Sequence, residues 1–226
     1  MKKNDGPFFS AILFDMDGTL IDSEPQWLIA ETELMADYGY TWTKPEQAEY
    51  LGGPLDRLGE YMYGLAGHVQ SPQFFTDSLI SLMADKLRRG ALLMDGAAEL
   101  LQLCTDTNIP VALVTASPRV LVDAVLEHLP THPFQISVSS GDVARTKPDP
   151  EGYLKAADLL GVEITNCLIL EDSLTGVTAA KASGGYVIAI PHLVDLQESE
   201  RVRVVRSVRE LDRERLNSFY AQWNPI

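Results

Sequence analysis

The stretch FFSAILFDMDGTL, residues 8–20, is an apolar run that ends at two aspartates, Asp15 and Asp17. A continuous run of this kind is typical of a strand buried on both faces of a parallel sheet. Residues i and i+2 of a strand share a face, so both carboxylates can point into the crevice at its carboxyl end. Gly18 then lets the chain turn away. A calcium loop is excluded because its sixth position would be Leu20 rather than glycine. A simple Asp-Gly turn stays open.

Further apolar runs alternate with amphipathic helical stretches in the second half of the chain, which predicts a doubly wound α/β fold with a parallel, Rossmann-like sheet. The predicted strands are 8–14, 111–114, 136–138, 168–170, 186–190 and an edge strand at 204–208. The predicted helices are 97–105, 118–129, 151–160, 174–183 and a terminal helix at 212–222.

Residues 22–93 break this alternation, since they show helical periodicity and no convincing strand. A loop of this length inside a compact sheet is implausible, so the sequence predicts an inserted helical domain with its own small core. The expected division is an α/β core at 1–21 and 94–226 and a helical cap at 22–93.

Three more polar motifs follow predicted strands. Thr115, Ala116 and Ser117 come before Pro118, where either Ser117 caps a helix or the helix N-terminus binds an anion. Lys147 lies in a proline-bounded turn, which by itself indicates only a solvated lysine. The pair Glu171 and Asp172 follows the fourth strand, where either Asp172 or Ser173 caps a helix or the two acids form a hard-cation site.

The four motifs carry more information together than singly. Carboxylates, a hydroxyl beside a helix N-terminus and a lysine at neighbouring strand ends are the parts that phosphoryl transfer requires. The net charge of −14 argues against nucleic acid and anionic membranes as partners. It would repel a phosphorylated substrate too, unless Mg²⁺ and Lys147 supply local positive charge.

In their order, DMDGT, LVTAS, the lysine of KPDP and the acidic pair of LEDS resemble the four motifs of the haloacid dehalogenase superfamily. The stretches LIDSEP, KPDPEGYLKAADLLGV and LEDSLTGVTAAKASG are similar to its β-phosphoglucomutase-like, sugar-phosphate phosphatase subgroup with a helical cap. The resemblance implies a Mg²⁺-dependent phosphatase that acts on a small phosphorylated metabolite, such as a sugar phosphate, through an aspartyl-phosphate intermediate.

The resemblance also implies residue roles. Asp15 is the nucleophile and Asp17 the general acid and base, and Thr115 and Lys147 complete the catalytic set. The transferring phosphoryl group is bound by Thr115, Ala116, Ser117 and Lys147. The metal is bound by Asp15, Asp17 through its backbone carbonyl, Asp172, and Glu171 directly or through water.

Two other functions stay open, a phosphosugar mutase of the β-phosphoglucomutase type and a non-catalytic phospho-ligand binding protein. The mutases of this family use a histidine twelve residues after the nucleophile, where this chain has Trp27. A receiver domain is disfavoured by the helical insert and by acids on the fourth strand.

The remaining sequence features concern the compartment. No apolar run reaches the roughly 18 residues that a membrane span needs, and residues 1–10 lack the pattern of a signal peptide. Cys104 and Cys167 form no metal or redox spacing, which indicates reduced core thiols. We therefore expect a cytoplasmic monomer.

Overall fold

The computed structural model describes residues 8–50, 53–129, 131–191 and 196–225. Six strands lie in this part of the chain: β1 Ala11–Phe14, β2 Val111–Val114, β3 Ile136–Val138, β4 Cys167–Glu171, β5 Tyr186–Ala189 and β6 Val202–Val204. All pair in parallel, in the order β3-β2-β1-β4-β5-β6. The predicted α/β fold with a parallel, Rossmann-like sheet is confirmed.

The described helices are α1 Glu24–Ala36, α2 Lys44–Tyr50, α3 Leu55–Leu65, α4 Pro72–Gly90, α5 Ala97–Thr107, α6 Arg119–His128, α7 Glu151–Leu160, α8 Leu174–Ser183 and α9 Arg213–Trp223. Several begin where the sequence provides a cap. Ser71, Ser173 and Asp212 each accept a backbone N–H of the first turn through a side-chain oxygen.

The burial of the central strands explains why they could be predicted from apolar runs in the sequence. Every residue of β1, β2, β4 and β5 is buried. Strands covered on both faces have no solvent side on which to place polar residues, so their sequences are continuously apolar. Phe14, the last residue of β1, pairs with Leu113 of β2 and Leu170 of β4. This register brings three strand ends to the same level.

By its internal contacts the chain divides into two compact units. The first comprises Met1–Ile21, Leu93–Ser117 and Thr131–Ile226, and the second comprises Asp22–Leu92 with Pro118–Pro130. The first contains the sheet. In the second, α4 packs against α1, α3 and α6 around buried side chains such as Phe75 and Met83. The segment 118–130, assigned to the core by the sequence analysis, thus groups with the helices.

Two strands, β1 and β6, have an end that lies three or more residues from its predicted position. The edge strand is at Val202–Val204 rather than 204–208, where it pairs with β5. β1 begins at Ala11, so Phe8 and Phe9 precede it. Both rings instead contact Tyr220 of α9. Among the described residues, no helix combines the length and apolar character needed to cross a membrane. Cys104 and Cys167 are buried and unpaired.

Candidate active site

The carboxyl ends of β1, β2 and β4 position the site, which lies entirely within the unit that contains the sheet. Asp15 follows β1 directly, and its backbone N–H donates to the carbonyl of Leu170 at 3.0 Å. Thr115 follows β2 and donates its N–H to Val138 at 2.9 Å. Ligands of open α/β sheets bind at this edge, where the strand order reverses.

The loop after β1 depends on Gly18. Its φ of +81° lies in the left-handed region, and a Cβ placed there would come 2.2 Å from the Asp172 carboxylate oxygen Oδ2. A larger residue would therefore be strained and would also displace Asp172. The glycine of the DMDGT motif lets the first and fourth motifs meet.

Lys147 is the cation of the site, and its side chain is only 8% exposed. The ammonium Nζ donates to Asp15 Oδ1 at 2.5 Å, to Glu171 Oε1 at 2.7 Å and to the carbonyl of Val114 at 2.9 Å. Burial lowers the pKa of Lys147, but the Asp15 and Glu171 carboxylates raise it by more, so the side chain stays charged.

Asp15 is buried, with 6% of its surface exposed. Burial raises its pKa, Lys147 opposes that rise, and the Glu171 and Asp17 carboxylates add to it, for a value of about 7. Asp172 has a larger shift. Burial raises its pKa, the Asp15 and Glu171 charges raise it further, and Lys147 only partly offsets them, for a value of about 9.

Glu171 differs from Asp172 in that it is fully enclosed. It is 0% exposed, and its Oε1 accepts both Lys147 and the hydroxyl of Tyr153, the latter at 2.5 Å. Ser173 also contacts Glu171, through Oε2 at 3.3 Å. Ser173 caps α8 by accepting the N–H of Gly176 at 3.0 Å. The helix-cap interpretation therefore applies through Ser173, and the hard-cation site stays a prediction.

Asp17 is hydrogen-bonded to a residue of the second motif. The Ser117 hydroxyl donates to Asp17 Oδ2 at 2.7 Å, and the Ser117 N–H donates to Thr115 Oγ1 at 3.0 Å. The following helix α6 begins at Arg119 with Pro118 as its N-cap residue. The alternative in which Ser117 caps that helix is wrong, because its hydroxyl is directed to the first motif.

Asp15, Glu171 and Asp172 can each place a carboxylate oxygen within 4.8 Å of the others. Lys147 is the cation that contacts this cluster in the described residues, so three carboxyl groups share one positive charge there. Closely spaced carboxylate oxygens with excess charge fit a hard divalent cation. Asp17 is not part of this carboxylate group.

The structure thus brings the predicted residues of all four motifs to one edge of the sheet. Ala116 lies between Thr115 and Ser117 with its side chain exposed, and only its backbone is suited to bind a ligand. Sequence reasoning missed Tyr153. Tyr153 lies six residues after Lys147, early in α7, and this proximity to a motif residue could have identified it. A buried tyrosine in a helix is, however, ordinarily assigned to the core.

A model of the haloacid dehalogenase-like hydrolase family matches residues 9–184. The chain belongs to this family. It is 33% identical to hexitol phosphatase B of Escherichia coli over 184 residues, which cover 80% of this chain and 83% of that protein. It is 29% identical to validoxylamine A 7'-phosphate phosphatase of Streptomyces hygroscopicus subsp. limoneus over 184 residues, 80% of this chain and 85% of that one.

Among solved structures, this hydrolase is similar to CbbY from Rhodobacter sphaeroides in complex with phosphate. The TM-score is 0.79 at 26% identity, over 93% of this chain and 100% of that one. The match extends over both the sheet and the inserted helices, so the family resemblance identified in the four motifs is confirmed at the level of the fold and the family.

Proposed function

We propose that this hydrolase is a phosphatase that releases phosphate from a small phosphorylated metabolite, a sugar or polyol phosphate, with Asp15 as the nucleophile. The observation that carries the proposal is the pair formed by Asp15 and Lys147. A buried carboxylate at the carboxyl end of the central strand lies 2.5 Å from a buried ammonium. Such a pair places a nucleophile and the charge that attracts a phosphoryl group at the same point.

The reaction would proceed in two displacements. A carboxylate oxygen of Asp15 attacks phosphorus, the bond from phosphorus to the ester oxygen breaks, and Asp17 gives its proton to the departing alcohol. Asp17 then takes a proton from a water molecule that attacks the phosphorus of the aspartyl phosphate, which releases phosphate and restores Asp15. Two displacements with an internal nucleophile replace one harder step.

The second motif would hold the transferring group. Thr115 and Ser117 carry hydroxyls at the same edge of the sheet as Asp15, and Ala116 between them is exposed. Lys147 neutralises phosphoryl charge. Because Ser117 donates to Asp17 at 2.7 Å, it is also suited to hold the general acid in place.

Mg²⁺ is the proposed cofactor. Asp15 and Asp172 would hold it with the backbone carbonyl of Asp17, and Glu171 would take part directly or through water. When bound, the ion supplies positive charge that draws the phosphate oxygens toward Asp15 and stabilises the charge that develops on them. The carboxylate cluster described above supports this assignment.

The relatives support the substrate class. Both curated relatives described above are named as phosphatases, one of them for hexitols and the other for validoxylamine A 7'-phosphate. We also propose that the enzyme acts as a monomer in the cytoplasm, a reducing compartment that suits its two unpaired cysteines. Light scattering during size-exclusion chromatography tests the monomer.

The deciding experiment is a phosphate-release assay on a panel of sugar, polyol and nucleotide phosphates with excess Mg²⁺. We expect turnover of at least one sugar or polyol phosphate, complete loss in EDTA and recovery on addition of Mg²⁺. Ca²⁺ is expected to substitute poorly because it favours higher and looser coordination. Full activity in EDTA would contradict the metal assignment. Tight binding of a phosphorylated compound without turnover would instead favour the non-catalytic binding protein.

A further inference from the structure

Lys147 has no spare hydrogen-bond donor. A lysine ammonium carries three N–H groups, and here they are directed to three acceptors that come from three different strand ends: Asp15 after β1, Val114 on β2 and Glu171 on β4. The position of Nζ is therefore set by these three oxygens. Two of them, the Asp15 carboxylate and the Val114 carbonyl, are fixed by the strands directly.

The third acceptor, Glu171 Oε1, is on a longer side chain, whose conformation must be fixed by other contacts. Glu171 could rotate about its side-chain bonds, yet its carboxylate lies so close to α8 that a Cβ at Gly176 would come 1.9 Å from Oε2. The Tyr153 hydroxyl donates to the other carboxylate oxygen, Oε1, at 2.5 Å. Helix α8 thus blocks one direction of rotation, and Tyr153 ties down the oxygen that Lys147 uses.

Tyr153 also contacts the ammonium with its ring. Nζ of Lys147 lies 5.1 Å from the ring centroid, within the range of a cation–π interaction. Tyr153 is 0% exposed and packs in the core beneath the sheet edge with side chains such as Leu13 and Val114. Because this packing fixes the Tyr153 side chain, Tyr153 can in turn fix the positions of Glu171 and Lys147.

We infer that Tyr153 is a positioning residue: its hydroxyl fixes Glu171 Oε1 and its ring lies beside Lys147, so that together they set the ammonium against Asp15. This inference rests on the proposed function, in which Lys147 neutralises the transferring phosphoryl group. Within the described part of the chain, no tyrosine hydroxyl holds the Asp172 carboxylate in this way, and Asp172 stays open to the proposed cation.

The test compares two conservative substitutions. Tyr153→Phe removes only the hydroxyl and leaves the ring in place. Tyr186→Phe is the matched control, because Tyr186 is 4% exposed in the same unit and its hydroxyl donates to Asn224 Oδ1 at 2.9 Å, away from the motifs. We expect Tyr153→Phe to lower kcat about 10- to 100-fold with KM changed less than about twofold, whereas Tyr186→Phe keeps both values.

A second readout needs no substrate. In the nitrogen-15 spectrum of the wild-type protein, the Lys147 ammonium should give a protected signal, assigned by its loss in Lys147→Arg. In the proton spectrum, the Tyr153 hydroxyl proton should exchange slowly. Tyr153→Phe should remove the protection of the ammonium, and Tyr186→Phe should preserve it. This holds even if the wild-type protein hydrolyses no compound in the panel, so the proposed function can fail separately.

The inference is overturned if Tyr153→Phe and Tyr186→Phe lose the same stability and neither changes kcat nor the ammonium signal, since Tyr153 would then be an ordinary core residue. Should Tyr153→Phe not fold, the wild-type spectrum decides. Protected ammonium and hydroxyl signals support the inference, and a rapidly exchanging Lys147 or Tyr153 overturns it.

Discussion

Asp15 is a carboxylate in an environment that works against its charge. Burial raises its pKa to about 7, and Lys147 at 2.5 Å is the group that opposes that effect. A nucleophile with little hydration has less water to shed before it attacks, provided that a neighbouring cation keeps it ionised. The ionised form of Asp15 therefore depends on Lys147 and, as we infer, on Tyr153, which positions Lys147.

Asp15→Asn is expected to fold normally and to lose phosphatase activity by at least about 10³-fold, because an amide does not form the acyl phosphate. The asparagine oxygen can still accept the hydrogen bond from Lys147. Activity is measured by phosphate release, and folding by thermal melting and circular dichroism. Asp158→Asn, an exposed aspartate of the same unit, is the control and is expected to match the wild-type protein. Substantial activity in Asp15→Asn, or a phosphoryl group found on another residue by intact mass, would refute the assignment.

At the scale of the elements, α1 carries a buried carboxylate that has no part in the proposed chemistry. Glu31 is 4% exposed, and Trp42 Nε1 donates to its Oε2 at 2.8 Å. Burial raises the pKa of Glu31 to about 7, although the Trp42 hydrogen bond partly opposes this and the Glu24 charge adds to it. The folded protein thus holds this proton more tightly than the unfolded chain.

Stability should therefore fall as the pH rises. Below the unfolded pKa, near 4.5, Glu31 is protonated in both states and costs nothing, whereas above about 7 the folded state must bury its charge. The loss is on the order of 3 kcal/mol. Glu31→Gln should be more stable than the wild-type protein at pH 8 and similar at pH 5, as measured by urea denaturation. Glu33→Gln on the same helix, where Glu33 is exposed and paired with Lys86, should keep the wild-type pH dependence. An identical pH profile in Glu31→Gln would contradict this account.

The elements also show what the sequence can and cannot predict. β1, β2, β4 and β5 were predictable because strands buried on both faces leave a continuous apolar run. The meeting of the four motifs followed from the rule that the carboxyl ends of parallel strands share one edge. β6 was displaced because an edge strand lacks that signal, with only Val202 of its three residues buried. The grouping of 118–130 with the inserted helices depends on packing between segments distant in sequence, which periodicity does not report.

The direction of the side chains is the other feature of the site that could not be predicted from the sequence. The sequence left open whether Ser117 caps a helix or lies at an anion site, and only the folded chain shows that its hydroxyl donates to Asp17, one hundred positions away. The sequence pattern of α7 predicts Tyr153 to be a core residue. That pattern indicates that the ring is buried, but it does not indicate which group the hydroxyl binds. Motif residues were predictable by type and spacing, whereas the residues that orient them depend on tertiary distances.

At the scale of the whole molecule, charge decides how the protein meets a phosphorylated compound. A chain with a net charge of −14 repels anions in general, so attraction must be confined to the edge of the sheet where Lys147 and the proposed Mg²⁺ lie. In the helical unit, Lys86 pairs with Glu33, Arg88 pairs with Asp85 and Glu127, and Arg119 pairs with Asp123.

Arg57 is a basic residue in the first turn of α3, just after the segment 51–56, of which residues 51 and 52 lie outside the described part. It lines a pocket of about 430 Å³ in the helical unit together with Tyr50, Asp56, Glu60 and Tyr61. Its guanidinium lies over the Tyr50 ring, 5.3 Å from the centroid. Two carboxylates in the same pocket make it a poor place for a second phosphate, which a phosphosugar mutase has to bind.

We therefore expect this hydrolase to release phosphate and not to isomerise a phosphosugar. A mutase must protect its aspartyl phosphate from water until a sugar phosphate returns, and the residue twelve positions after Asp15 is the half-buried Trp27, which lacks the hydrogen-bonding and proton-linked properties of histidine. The measurement follows free phosphate and the conversion of glucose 1-phosphate to glucose 6-phosphate in one reaction, with Mg²⁺ and a bisphosphate activator present. Trp27→His is the matched variant, and it is expected to gain no isomerase activity, because the pocket around Arg57 would still contain two carboxylates that disfavour a second phosphate. Efficient isomerisation by the wild-type protein without phosphate release would show that the reaction is a mutase reaction, with water excluded from the aspartyl phosphate.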